Sequence, residues 1–266
     1  MRKNKFKIIL ALALIGFLII VILISNFKKK DSQGSDYKIG ILADNGVAMV
    51  SLSKERQMIN YLSVSEDSQI WIPGGMGWYR NQVIKKILVQ EKKTNLVKDM
   101  LFYNFGFVAD KVVILKKTTD WQQKFWWRLF RSNNLISKTE KLEGDIDKGG
   151  AFLDKIMPRD FSETKVVNDD LKLSIINSSG VDGLANFMTK QLERSGFSVV
   201  SVTDGVDLDK CKLSYGQGVE KTFSWKILKS IFDCQTEGDS SLNEGEVEIY
   251  LDEKFSEVIK YPSYKK

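Results

Sequence analysis

The chain has 266 residues, 43% hydrophobic and 11% aromatic with only three prolines, a composition that buries a core and excludes an intrinsically disordered chain. It contains no histidine, which excludes histidine triads, histidine-ligated zinc and the side chain best suited to proton transfer near neutral pH. Its net charge of +6 is uneven: residues 1–30 hold seven basic residues and no acid, residues 80–131 sum to +8, and residues 132–266 sum to −6. No nucleic acid is expected as a partner, because positive charge is not concentrated over one fold. The basic middle either attracts the acidic C-terminal part or faces an anionic partner such as lipid headgroups or a cell-wall polymer.

Residues 1–30 read as a membrane anchor with basic flanks. Ile8 to Ile24 is an uninterrupted run of 17 apolar residues, with glycine included, or roughly 26 Å of helix, near the short end of a spanning length. No small-residue cleavage pattern precedes the lysines that follow, so the segment is expected to be an uncleaved single-pass helix; a cleaved signal peptide is the competing reading. Basic residues weigh slightly toward the N-terminal side, which places the N-terminus in the cytoplasm and the body outside, at the cell membrane. Residues 31–36 form a polar linker.

Residues 37–118 read as a small mixed-sheet module. YKIGILAD and VAMVSLSK are strand-like runs around Asn45-Gly46, a tight-turn pair. LSVSEDSQIWIPGG at 62–75 supplies a third strand, closed by Pro73 and its glycines. Val83, Ile84, Ile87, Leu88, Leu96, Met100 and Leu101 recur at helical spacing, and KVVILKK at 111–117 is another strand.

Residues 119–168 hold an aromatic-basic helix and a connector. In DWQQKFWWRLFR, Trp121, Phe125 and Leu129 share a helical face, Trp126 lies beside them and Arg128 adds charge. Such a helix either lies at a membrane interface or packs its aromatic stripe on the N-terminal sheet. The connector is polar, with a short helical piece around Ala151 to Met157 and then Pro158.

Residues 169–260 alternate cleanly: LKLSIIN, a capped helix ending at Gly196, FSVVSVTD, KCKLSYG, a second helix, and EVEIYLD. The order β-α-β-β-α-β predicts a layered sandwich of ferredoxin-like type. The expected fold class is therefore α/β (α+β): a single N-terminal transmembrane helix, a small mixed-sheet N-terminal module and a C-terminal β-α-β-β-α-β sandwich. Cys211 opens the third strand of that module and Cys234 closes the helix after it. A strand running out and a helix running back bring those ends together, so a disulfide fits, as does an oxidising compartment; two buried thiols are the alternative. Asn177-Ser178-Ser179-Gly180 joins strand to helix, where exposed amides can hold an anion, although serine is also an ordinary helix cap.

SIINSSGVDGLANFMTKQLERSGFSVVSV combines a strand ending in Asn and small residues, Gly-Leu-Ala in the helix, and Gly-Phe before the next strand. It resembles the C-terminal domain of LytR-type cell-envelope proteins over about residues 169–259, which implies association with the envelope and no defined catalysis. Ser63-Val64-Ser65-Glu66-Asp67-Ser68, followed by Pro73-Gly74, resembles the Ser-Ile-Pro-Arg-Asp-Thr strand end and Pro-Gly turn of the LytR-CpsA-Psr phosphotransferase domain. VAMVSLSKERQMINYL and LVKDMLFYNFGFVADKVVIL are similar to the elements on either side, so the likeness spans roughly residues 37–117.

The family enzyme is expected to hold a polyprenyl-linked pyrophosphate with arginines and an aspartate-bound Mg²⁺, then pass a glycan phosphate to cell wall. Here Glu66 replaces the key arginine, reversing the charge where phosphates should sit. The metal-carrying loop shrinks to Ala43-Asp44-Asn45-Gly46, and much of the enzyme's second half is missing. A membrane-anchored, non-catalytic envelope protein is the leading expectation, binding wall polymer or envelope partners without cofactor or resident metal. A divergent phosphotransferase using Asp44, Asp67 and Arg80, with Arg56 and Mg²⁺, is the alternative. A membrane-bound transcriptional regulator is the third.

Overall fold

The computed structural model describes residues 36–53, 55–115, 136–142 and 150–256. The N-terminal module contains, in order, β1 (Tyr37–Ala43), β2 (Gly46–Ser53), β3 (Met58–Val64), a ribbon of β4 (Gln69–Ile72) and β5 (Gly77–Arg80), helices α1 (Asn81–Gln90) and α2 (Val97–Phe105), β6 (Lys111–Ile114) and β7 (Ile136–Leu142). Its sheet runs β6-β1-β2-β3-β7. The first three strands form an antiparallel meander, and the two outer strands lie parallel to their neighbours.

Alternation along the strands fills both faces. Leu42, Val47, Met49, Leu62 and Val64 point to the helices, where Ile84, Leu88, Leu101 and Phe105 close a core. Tyr37, Ile39, Val50, Leu52 and Ile59 form a second cluster on the opposite face. The ribbon is held by Asn104 of α2, whose Oδ1 accepts the Trp71 N–H at 3.0 Å while Nδ2 donates to the Trp71 carbonyl at 2.8 Å.

The chain then forms α3 (Gly150–Ile156), a π-helical turn at Met157–Phe161, α4 (Thr164–Asp169), β8 (Lys172–Asn177), α5 (Leu184–Ser195), β9 (Ser198–Asp204), β10 (Lys212–Tyr215), α6 (Phe223–Ile231), β11 (Gln235–Gly238) and β12 (Glu246–Leu251). The second sheet runs β11-β10-β12-β8-β9, with β8, β9 and β12 parallel and β10 antiparallel to β12.

Several expectations are corrected. The spanning helix at Ile8–Ile24, and with it the transmembrane component of the fold class, lies outside the described residues; among those described, no helix is long and apolar enough to cross a membrane. What they form is a mixed α/β body. The C-terminal module is not a β-α-β-β-α-β sandwich: β11 is an additional strand, parallel to β10, and β9 pairs directly with β8, where a ferredoxin-like sheet places another strand between the two. The connector contains a sheet strand, β7, parallel to β3. The stretch at 62–75 is two strands in different sheets, β3 and β4, with Glu66 and Asp67 exposed in the turn between them. The aromatic helix with Trp121, Phe125, Trp126 and Arg128 lies outside the described residues.

The two modules pack together through apolar as well as charged contacts. Phe102 of α2 is buried in the C-terminal core beside Leu171 and Leu192, a burial that contributes roughly 1.5–3 kcal/mol. Gly106 ends α2 at φ +68, and a Cβ there would lie 2.4 Å from the Cβ of Arg194, so only glycine allows α2 and α5 this approach. Arg194 is 5% exposed; its guanidinium donates to Asp154 Oδ1 at 2.7 Å and to the Asn104 carbonyl at 3.4 Å. The start of the fold is clamped to the same region. The Asp36 N–H donates to Glu163 Oε1 at 2.8 Å, and the Thr164 N–H and hydroxyl donate to Asp36 Oδ2 at 2.9 and 2.8 Å.

Candidate functional site

Asp44, Asp67 and Arg80 are all exposed around the first residue of α1, Asn81, which is fully buried. Asn81 Oδ1 accepts the Val47 N–H at 2.8 Å, and Nδ2 donates to the carbonyls of Val64 at 3.0 Å and Ser65 at 3.2 Å. One side chain thus ties the β1–β2 hairpin to the end of β3. Gly46 makes room for it: at φ +113, a Cβ would lie 2.1–2.3 Å from the Asn81 side chain.

The helix start is equally occupied. The Asn81 N–H donates to the Ser68 carbonyl at 2.8 Å and the Gln82 N–H to the Glu66 carbonyl at 3.1 Å. These are the amides that would face a phosphate at an anion-binding helix N-terminus. Asp44 pairs with Lys85 Nζ at 2.5 Å, and Lys85 also donates to the Leu115 carbonyl. Neither Asp44 nor Asp67 forms an ion pair with Arg80 among the described residues. Arg56 is committed elsewhere, donating to the Arg159 carbonyl at 2.6 Å and to Thr164 Oγ1 at 3.1 Å. The donors shown here do not fit a pyrophosphate: the first two helix amides are bonded, Asp44 holds Lys85, and Glu66 and Asp67 place exposed carboxylates beside them.

In the loop Asn177-Ser178-Ser179-Gly180, Asn177 and Ser179 bond to one another and to the turn that follows. Asn177 Oδ1 accepts the Ser179 hydroxyl at 2.6 Å, Asn177 Nδ2 donates to the Val181 carbonyl at 3.0 Å, and Ser179 Oγ accepts the Val181 N–H at 3.1 Å. The cap expected for α5 is absent, since Gly183 occupies the cap position without a side-chain bond. A Cβ on Gly180 would lie 3.6 Å from an Asp207 carboxylate oxygen, so negative charge already stands over the loop. Asn177 and Ser179 are thus bonded within the loop, while the buried Ser178 hydroxyl has no hydrogen-bond partner among the described residues.

Cys211 and Cys234 are joined in a disulfide with Cα atoms 5.0 Å apart. Each immediately precedes a strand of the parallel β10–β11 pair, so the bridge closes the β10-α6-β11 crossover at its base. The Cys211 N–H donates to Asp252 Oδ2 at 2.9 Å, extending the staple to the end of β12.

The concave feature that sequence reasoning missed lies where the modules meet. A cleft of about 470 Å³ is formed by α3, α4, the end of α5 and the start of β9. Val166, Val167, Phe197 and Val199 give it apolar walls, with Asp154 and Glu193 carrying carboxylates beside them. No motif announces it, because its residues come from four segments and converge only through the module contact. Asn81 was missed for a different reason: an asparagine one position inside a helix is expected at the cap, and only its depth against Gly46 shows its role. Comparison with models of known protein families, and with the sequences of characterised proteins, yields no match to this chain.

Proposed function

We propose that the chain is a non-catalytic binding protein of the cell envelope, located at the cell membrane with its body outside the cytoplasm. The observation that carries this reading is the Asn81 plug. Beside Asp44, Asp67 and Arg80, the Asn81 side chain and the first two amides of α1 are all bonded within the protein. The disulfide supports an oxidising compartment. The resemblance to LytR-type envelope proteins at residues 169–259 supports the location.

The N-terminal module supports an anionic partner. α1 contains no acidic residue and turns Val83, Lys86 and Val89 to solvent on one face, with Glu91, Lys92 and Lys93 following. That surface suits a phosphate-bearing wall polymer through many weak contacts, and such binding weakens as salt rises. The test is binding of the full chain to a soluble glycerol-phosphate polymer, beside a polyprenyl pyrophosphate analogue with and without Mg²⁺. The reading expects salt-sensitive polymer binding and no analogue binding. Mg²⁺-dependent binding of the analogue, abolished by Asp44→Ala, would replace it with the phosphotransferase alternative.

A further inference from the structure

β9 is an edge strand. It pairs with β8 on one side and with no strand on the other among the described residues, and it makes no other backbone hydrogen bond there. Natural edges are blunted by lysine, proline or a covering element. Among the described residues the device present here is a bulge at Val200, opposite the Leu173–Ser174 step, and there is no basic residue between Arg194 and Lys210.

The flank of this edge is apolar. Val200 is 57% exposed, Val202 40%, Val206 84% and Leu208 37%, a concentration of exposed aliphatic side chains of the kind that marks interaction surfaces. Both ends are acidic. The first two residues of β9 line the junction cleft, which carries Asp154, Asp170 and Glu193. Asp154 and Asp170 hold Arg194 and Lys172 but remain 47% and 67% exposed, and Glu193 has no ion pair among the described residues. At the other end stand Asp204, Asp207 and Asp209, all exposed.

These features select the occupant. Unpaired main-chain groups take an extended polypeptide, and exposed valines take apolar side chains. Acids at both ends take lysine or arginine at both ends, about 20 Å apart for a seven-residue strand. A second copy of this chain is excluded by the same charges. Antiparallel pairing of two β9 edges sets the acidic cleft of one against Asp204–Asp209 of the other, and parallel pairing sets like ends side by side.

We propose that β9 is a docking edge for an extended segment of another protein, apolar and β-branched in its middle and basic at both ends, with one basic side chain seated in the junction cleft. This stands independently of what the N-terminal module binds. The probe is a fluorescent nine-residue peptide of alternating valine and threonine between terminal lysines, titrated into the full chain with its disulfide intact. The controls are the same peptide ended by glutamates and one carrying a central proline.

The lysine-ended peptide is expected to bind and to slow amide exchange across Ser198–Asp204. Its affinity should fall about tenfold in the double variant Glu193→Lys, Asp204→Lys, and binding should be lost with the central proline. Val200→Lys, a surface change that leaves the fold intact, should weaken it similarly. Equal binding of the glutamate-ended peptide, protection elsewhere on the chain, or failure of the lysine-ended peptide to bind to a folded sample would each overturn the proposal. So would a dimer in sedimentation whose exchange protection lies on β9.

Discussion

Replacing Asn81 with alanine tests whether one buried amide organises the region where phosphotransfer chemistry would have to sit. The variant loses three hydrogen bonds, to the Val47 N–H and to the carbonyls of Val64 and Ser65. At roughly 1 kcal/mol each the loss is about 3 kcal/mol, and the stranded Val47 N–H and Val64 carbonyl keep it from being smaller. Urea unfolding of the full chain, followed by tryptophan fluorescence, should show that loss, and the Val47 amide should lose exchange protection. Gly46→Ala gives an independent handle. Its Cβ would collide with Asn81 at 2.1 Å in a left-handed backbone, costing about 1–3 kcal/mol from strain alone and more by displacing the amide. In the double variant the collision is gone, so the two losses should fall short of additivity by at least about 1 kcal/mol. An Asn81→Ala loss below about 1 kcal/mol with Val47 still protected, or strict additivity with Gly46→Ala, would refute the plug.

Arg194→Met keeps the aliphatic stem but removes the bonds to Asp154 and the Asn104 carbonyl. Because Asp154 is 47% exposed and stays hydrated, the loss should be only about 2 kcal/mol, visible as separation of the two modules' unfolding transitions in calorimetry. Since Phe102 carries much of the contact, adding 0.5 M NaCl to the unaltered protein should not separate them. Reduction of Cys211–Cys234, which closes a loop of sequence separation 23, should lower stability by about 3 kcal/mol on the chain-entropy account, measured as a shift in urea midpoint with and without reductant. In the β11–β12 connection, hydrogen bonds from Ser241 hold the Asp239 carboxyl below its ordinary 3.8, and those from Asn243 hold Glu246 below its ordinary 4.5. Depressed carboxylates stabilise above their unfolded values, and the contribution fades as pH falls through the folded ones. NMR titration of the Ser241 and Asn243 amides should therefore give midpoints below 3.8 and 4.5, and midpoints at or above those values would contradict the bonds.

Strands with β-branched alternation were legible in the sequence. KLSIIN, SVVSVTD and EVEIYL lie where β8, β9 and β12 form, and Gly196 ends α5 with φ +101. β11 was not legible, because Gln235–Gly238 is polar and wholly exposed and carries no apolar period for a reader to find. β7 was hidden similarly: ISKTEKL reads as connector, and its place is decided by the parallel partner β3 rather than by its own composition. The disulfide was legible because both cysteines flank one crossover, and the geometry of a strand and a returning helix bounds their distance. The cap expected at Ser178–Ser179 failed because the Ser179 hydroxyl serves Asn177 and a local turn instead, a competition that sequence alone does not decide.

The arrangement around Asn81 also bears on how a strand and turn can close on themselves. A phosphate cradle needs helix amides left without protein partners, and such groups destabilise the empty protein. Here the Asn81 and Gln82 amides bond to Ser68 and Glu66 carbonyls, and the hairpin closes on the Asn81 side chain. Each of these bonds stabilises the fold, and each removes a donor that a pyrophosphate would require. Introducing an arginine by Glu66→Arg would add positive charge at the rim without freeing an amide. Binding of the polyprenyl pyrophosphate analogue is thus predicted to stay absent in that variant, while a single substitution that produced it would show that charge, not occupied amides, kept the region closed.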